Sequence, residues 1–152
     1  MMRQSLLQSL LLCLFALPAA AGAADDILAQ AAADCASIDN GQFTALPAAV
    51  VTLDLTGDGQ PETVVDTSHF QCTTSASYWG GTGGNWMSVL AGGQTFDYLA
   101  QGWQVIDWNG LPVLLLWHNG SECNGAGADP CVEALVWSDY QGHFMTTAAA
   151  GN

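Results

Sequence analysis

Between Asp54 and Glu62 the chain sets oxygen-bearing side chains at every second position: Asp54, Thr56, Asp58, Gln60 and Glu62. Counted from Asp54, these are positions one, three, five, seven and nine, with Gly59 at six. An EF-hand-type loop wraps calcium in oxygens with that spacing. Gly57 and Gly59 permit the tight path. Pro61 biases Gln60 toward extended geometry, where its carbonyl can point inward. Thr56 is a poorer ligand than a carboxylate, and position twelve is Val65 instead of a bidentate glutamate. The expected affinity is therefore weak, about 10⁻⁴ to 10⁻³ M. The competing reading is an acidic turn that never binds metal. Calcium is the one cofactor these residues point to.

Other chemistry is sparse. The histidines are His69, His118 and His143. Asp66 and His69 can pair, and "HNGSEC" sets Ser121 and Glu122 near His118, but no G-x-S-x-G elbow is present. A hydrolase would need a nucleophile, a base and an oxyanion site to converge, so the chain reads as a non-enzyme. Asn119 opens an N-G-S glycosylation sequon. "SYWGGTGGNW" lacks the lysine and following helix of a phosphate cradle and reads as a flexible connection. Within it, Tyr78 and Trp79 are the aromatic pair nominated for ligand contact, as in a glycan platform. The other tryptophans are read mainly as core.

These residues must be carried by an exported chain. Arg3 precedes an apolar run, Leu6 to Leu17, and Ala21 and Ala23 fit an A-x-A cleavage site. Residues 1–23 therefore read as a signal peptide, 24–42 as an N-terminal helical segment and 43–152 as an antiparallel β domain. The apolar run is short for a retained membrane anchor. The predicted location is periplasmic or secreted.

Arg3 is the only Lys or Arg, and all 14 acidic residues lie after Ala23. With no cation left to meet phosphates, nucleic acid is excluded as a partner. An anionic membrane surface is disfavoured for the same reason. Cationic proteins and divalent metals are favoured, although acidic charge can also serve solubility alone.

Cys35, Cys72, Cys123 and Cys131 remain after cleavage. An even count in an exported chain predicts two disulfides, with three connectivities open. Cys123–Cys131 is favoured because "CNGAGADPC" is turn-rich, which leaves Cys35–Cys72. Chain entropy assigns roughly 2.5 kcal/mol to the short loop and roughly 4 kcal/mol to the long one. No C-x2-C pair is present, which disfavours zinc.

Asp25 to Ile38 is the helix candidate, capped by Asp25 and stopped by "DNGQ". From Phe43 onward short apolar runs alternate with Gly, Asn and Asp. Strands are expected near 48–54, 63–68, 86–90, 95–99, 102–108, 111–118, 131–138 and 143–147. In "GWQVIDWNGLPVLLLWH", Asn109-Gly110 suits a type I′ turn. That turn sets Trp108 opposite Leu111, Asp107 opposite Pro112, Ile106 opposite Val113 and Val105 opposite Leu114. Both faces of the hairpin are apolar, so it is expected to lie centrally, covered on both sides. A second hairpin is expected around residues 139–142. The fold class is mainly β (α+β): an antiparallel meander, sandwich- or blade-like, with one N-terminal helix and two disulfides.

"LDLTGDGQPETVVD" resembles the loops of FG-GAP and VCBS-type repeats, in which the loop joins two strands and commonly binds calcium. Asp54, Asp58 and Glu62 match ligand positions, and Thr56 departs from the pattern. A single copy cannot make a propeller. More broadly, the chain resembles small exported proteins of Alphaproteobacteria. Those carry an acidic GDG loop, a downstream cysteine, a GTGG segment and a late "HG-S-x-C-x-x-A-G-A-x-x-C" stretch. Here these are residues 57–59, Cys72, residues 81–84 and "HNGSECNGAGADPC". Relatives often flank the GTGG segment with cysteines, where this chain has Gly80 and Asn85. The resemblance implies export and fold, and no activity.

Together these features predict a non-enzymatic exported binding or structural module, calcium-stabilised at the acidic loop. The alternatives are an acidic inhibitor or sequestering partner of a cationic envelope protein such as a lysozyme, and a glycan-binding module.

Overall fold

The computed structural model describes residues 19–147. Arg3 and the apolar run read as the signal core lie outside the described residues. The chain forms α1 (Ala19–Ser37), β1 (Phe43–Ala45), β2 (Val50–Leu53), β3 (Glu62–Asp66), β4 (Phe70–Cys72) and β5 (Gly80–Gly81). It continues with β6 (Gly84–Ala91), β7 (Gln94–Ala100), β8 (Gly102–Trp108), β9 (Leu111–His118), β10 (Cys131–Ser138) and β11 (His143–Thr146). Every strand pair is antiparallel. Among the described residues the protein is mainly β, with one α-helix and two disulfides.

Among the described residues helix α1 covers Ala19–Ser37 and so includes residues ahead of the expected Asp25. The run "AAAGAA" before Asp25 is rich in the best helix former, so Asp25 continues a helix instead of capping one. The helix stops where Asp39 and Asn40 adopt positive φ (47° and 55°). Short polar side chains tolerate that conformation better than most. Ala24, Ala31 and Cys35 are buried on one face, at helical spacing.

Strands β2, β3, β6 and β7 form the first sheet, with β5 extending along β6. Strands β8 to β11 form the second, in the order β11-β10-β9-β8. Alternation along each strand gives the first sheet two apolar faces. Val65 and Leu90 pack with Ala24 and Ala31 of α1 and with Phe70. Val64, Met87 and Val89 face Leu114, Leu116, Leu135 and Phe144 of the second sheet. The layers are therefore helix, sheet, sheet. A single residue, Gln101, carries the chain from one sheet to the other, and its N–H donates to the Trp117 carbonyl at 2.6 Å.

The Asn109-Gly110 turn has both φ values positive, 55° and 85°. The four expected residue pairs of the β8–β9 hairpin are observed. Pro112 lies beyond the end of the β10 ladder, which stops at Leu114, so its missing N–H costs no bond there. The second hairpin also closes where expected, with Ser138 opposite His143.

Two expectations are corrected. The β8–β9 hairpin is not covered on both sides: β8 is the edge of its sheet, and only the face carrying Leu114 and Leu116 meets the core. An apolar pattern on both faces does not say what covers the second one. The Gly-rich segment is not a loose connection either. Gly80 and Gly81 pair with Asn85 and Gly84 in a minimal hairpin. A Cβ on Gly80 would collide with the Asn85 side chain, so glycine there allows a close approach. Strands β1, β4 and β5 were not anticipated, since two or three residues show no periodicity.

Both expected disulfides are formed, with Cα–Cα distances of 5.7 Å for Cys35–Cys72 and 5.8 Å for Cys123–Cys131. The first ties α1 to β4. The second closes the loop between β9 and β10.

Candidate functional site

The acidic loop between β2 and β3 is built from carboxylates that close backbone amides. Asp54 accepts from Gly57 N–H at 2.6 Å through Oδ1 and from Gly59 N–H at 2.9 Å through Oδ2. Asp58 Oδ1 accepts from Gln60 N–H at 2.7 Å. Glu62, only 8% exposed, reaches back along the loop. Its Oε2 accepts from Leu55 N–H at 2.7 Å and Thr56 N–H at 3.1 Å. Gly57 and Gly59 hold φ of 81° and 82°, which the tight path requires. The five nominated residues thus lie on one loop. Among the described residues, however, no three His, Cys, Asp or Glu side chains gather as a metal-holding group. As arranged, the loop is a self-closed turn whose carboxylates serve amides.

Trp79 packs edge-on against Phe43 and Phe70, beneath α1. Tyr78 meets the Trp79 ring edge-on and is itself 46% exposed. Of the nominated aromatic pair, Tyr78 is the ring open to solvent, and Trp79 is shared between the helix-side core and the floor of a groove. That groove, about 360 Å³, also has Phe70 and Ile27 in its walls, with Asp26 and Asp34 along α1.

His69 Nε2 stands 3.9 Å from Asp66 Oδ2. His118 Nε2 lies 3.2 Å from Glu133 Oε2, and its Nδ1 lies 3.0 Å from the Leu99 carbonyl oxygen. The His118 ring thus lies between two oxygen acceptors, and which nitrogen donates depends on the tautomer. A cleft of about 470 Å³ beside His118 is lined by Glu122, Glu133 and the Cys123–Cys131 bridge. Ser121 Oγ donates to Asn119 Oδ1 at 2.8 Å and shares a second cleft with His118 and Glu122.

One further feature lies outside the expected sites. On the second sheet, the face turned away from the core carries cross-strand apolar pairs: Trp108 opposite Leu111, Ile106 opposite Val113, and Trp117 opposite Val132. Leu115 opposite Ala134 and Val136 opposite Met145 extend it across β10 and β11. Trp108 is 65% exposed, Val132 51% and Leu111 46%. Val113 is 4% exposed yet belongs to neither core cluster. No Asp or Glu occupies this face. Gln104, Ser138 and His143 are its polar members. Carboxylates stand instead at its two ends: Asp107 and Asp139 beside the two hairpin turns, and Glu122 and Asp129 in the loop after β9. Its exposed members, Trp108, Leu111, Trp117, Val132 and Met145, surround a part-buried middle, and exposed apolar patches of this kind mark interaction sites. The two apolar faces of the hairpin carry this signal in the sequence, where it has the same form as core.

No protein-family model matches the chain, and neither does any curated protein or solved structure to which it was compared.

Proposed function

We propose that this chain is an exported, non-enzymatic binding module whose partner is a cationic protein of the cell envelope or its surroundings, with inhibition or sequestration as the outcome. One observation carries the reading: all 14 acidic residues lie among the described residues, and no Lys or Arg does. Such a charge distribution raises the local concentration of cationic partners and speeds their encounter. A c-type lysozyme is the direct probe. Titration at low ionic strength, with lytic activity followed in parallel, is expected to show binding that weakens steeply as salt shortens the Debye length. Undiminished lysis and no heat at low salt would count against the reading.

Calcium enters as a stabilising ligand of the Asp54–Glu62 loop, supported by side-chain spacing. Calorimetric titration of the oxidised protein, with Asp58→Asn as control, tests it. Heat in the millimolar range that the substitution removes supports the ion, and no heat and no thermal shift removes it from the reading. A glycan-binding role is the second reading, favoured by the exposed Tyr78 ring above Trp79. It predicts a tryptophan emission shift with oligosaccharide that Tyr78→Ser abolishes.

A further inference from the structure

We infer that the outward face of the second sheet is the docking surface, and that it takes a protein surface with an apolar centre bracketed at both ends by Lys or Arg. The inference rests on the cationic-partner reading and adds where and how the partner sits.

The face has a definite pattern. Its middle, the half-buried Ile106, Leu115 and Ala134 around the buried Val113, carries no charge. Each end carries an exposed indole: Trp108 beside the Asn109-Gly110 turn, and Trp117 next to the loop after β9. Carboxylates stand in the turns and loop that bound each end, Asp107 and Asp139 at one and Glu122 and Asp129 at the other; Asp107 alternates to the opposite side of β8 from Trp108, and Asp139 Oδ1 accepts from Trp137 Nε1–H. An indole face attracts an ammonium or guanidinium group, Arg most often. A neighbouring carboxylate adds long-range attraction to the same cation. Apolar contact in the middle supplies affinity, and the charged ends supply orientation and encounter rate.

The other occupants fit less well. A second copy laid face to face would bring carboxylates to carboxylates at the ends, with no Lys or Arg among the described residues to relieve them. An anionic lipid surface is repelled by the same ends.

The test compares two peptides on the purified, oxidised protein at low salt: an alternating Leu–Lys peptide and an oligolysine of equal charge. Binding is read by calorimetry and amide chemical shifts. The double variant Trp108→Thr, Val132→Thr serves as control. Both positions are exposed, and threonine keeps strand propensity, so the fold is retained. The Leu–Lys peptide is expected to bind at least about tenfold tighter than oligolysine, because it alone buries apolar surface. Shifts should map to β8, β9 and β10. The double variant should lose that advantage and keep its oligolysine affinity. Oligolysine binding with no Leu–Lys advantage, or shifts confined to α1 and the 54–62 loop, overturns the docking face and leaves the cationic-partner reading standing. Failure of both peptides to bind overturns the cationic-partner reading itself. A dimer in sedimentation that the double variant dissolves assigns the face to a second copy and overturns the inference.

Discussion

Trp103 Nε1–H, on β8, donates to Asp66 Oδ2, on β3, at 2.8 Å, and so joins the two sheets by a bond between side chains. Asp66 is 8% exposed, and its other oxygen accepts from Ser68 N–H at 2.8 Å. A nearly buried carboxylate is tolerable there because donors meet both oxygens. Asp66→Ala leaves two donors without a partner and is expected to cost about 2–3 kcal/mol in urea unfolding. Trp103→Phe should cost less, and the double variant should fall short of the sum by about 1 kcal/mol or more, as for residues in direct contact. Simple additivity would mean the bond does not couple the sheets.

Tyr98 gives the fold one pH-dependent contribution. Burial first, and the nearby Glu133 carboxylate second, push its phenol from 10.0 up to about 12. The folded state thus holds this proton more tightly than the unfolded state. Its contribution to stability is complete below pH 10 and is lost as pH rises through about 12. Phenolate absorbance should show one late-titrating tyrosine that Tyr98→Phe removes. Glu133→Gln should move it down only part of the way, since burial is the larger cause.

Gly41 is fixed by its neighbours. A Cβ there would collide with Thr74 Oγ1 and lie 2.7 Å from both the Cys35 carbonyl oxygen and Cys72 Sγ. Gly41→Ala must displace the Cys35–Cys72 bridge or the turn after α1. The expected cost is about 1–3 kcal/mol, the usual range for overpacking. Thiol counting on freshly oxidised protein should show more unpaired cysteine than wild type at equal times. A Gly41→Ala protein as stable and as fully oxidised as wild type would contradict the contact geometry.

In the acidic loop, Glu62 and Asp58 separate fold from metal. Glu62 serves two amide donors from a nearly buried position, so Glu62→Ala should destabilise by about 1–3 kcal/mol with chelator present. Asp58 is exposed and holds one local amide, so Asp58→Asn should change chelated stability by less than about 0.5 kcal/mol. Thermal unfolding with and without chelator measures both. Equal losses would show that the loop does not depend chiefly on Glu62.

Much of the fold was legible because particular residues leave few choices. Asn109-Gly110 demands two positive φ values, and that alone set the register of β8 on β9. Four cysteines with one turn-rich pair implied the observed bridges. Strands of three residues, such as β1 and β4, were invisible because they exist only as partners of each other. The outer face of the second sheet was visible as residues and misread as structure. Leu114 and Leu111 have the same chemistry, and only the assembled layers decide that one is 1% exposed and the other 46%. A docking face and a core face carry the same pattern along a strand.

The order of the strands also bears on how quickly the protein can form. Most ladders join strands that follow one another in the chain, and the widest closure brings Phe43 onto Cys72. Local pairing lowers the loop entropy to be overcome before contacts repay it, so such a chain folds fast for a β protein. Hairpins can close one after another along the chain. The Cys35–Cys72 bond then makes the widest of those closures permanent.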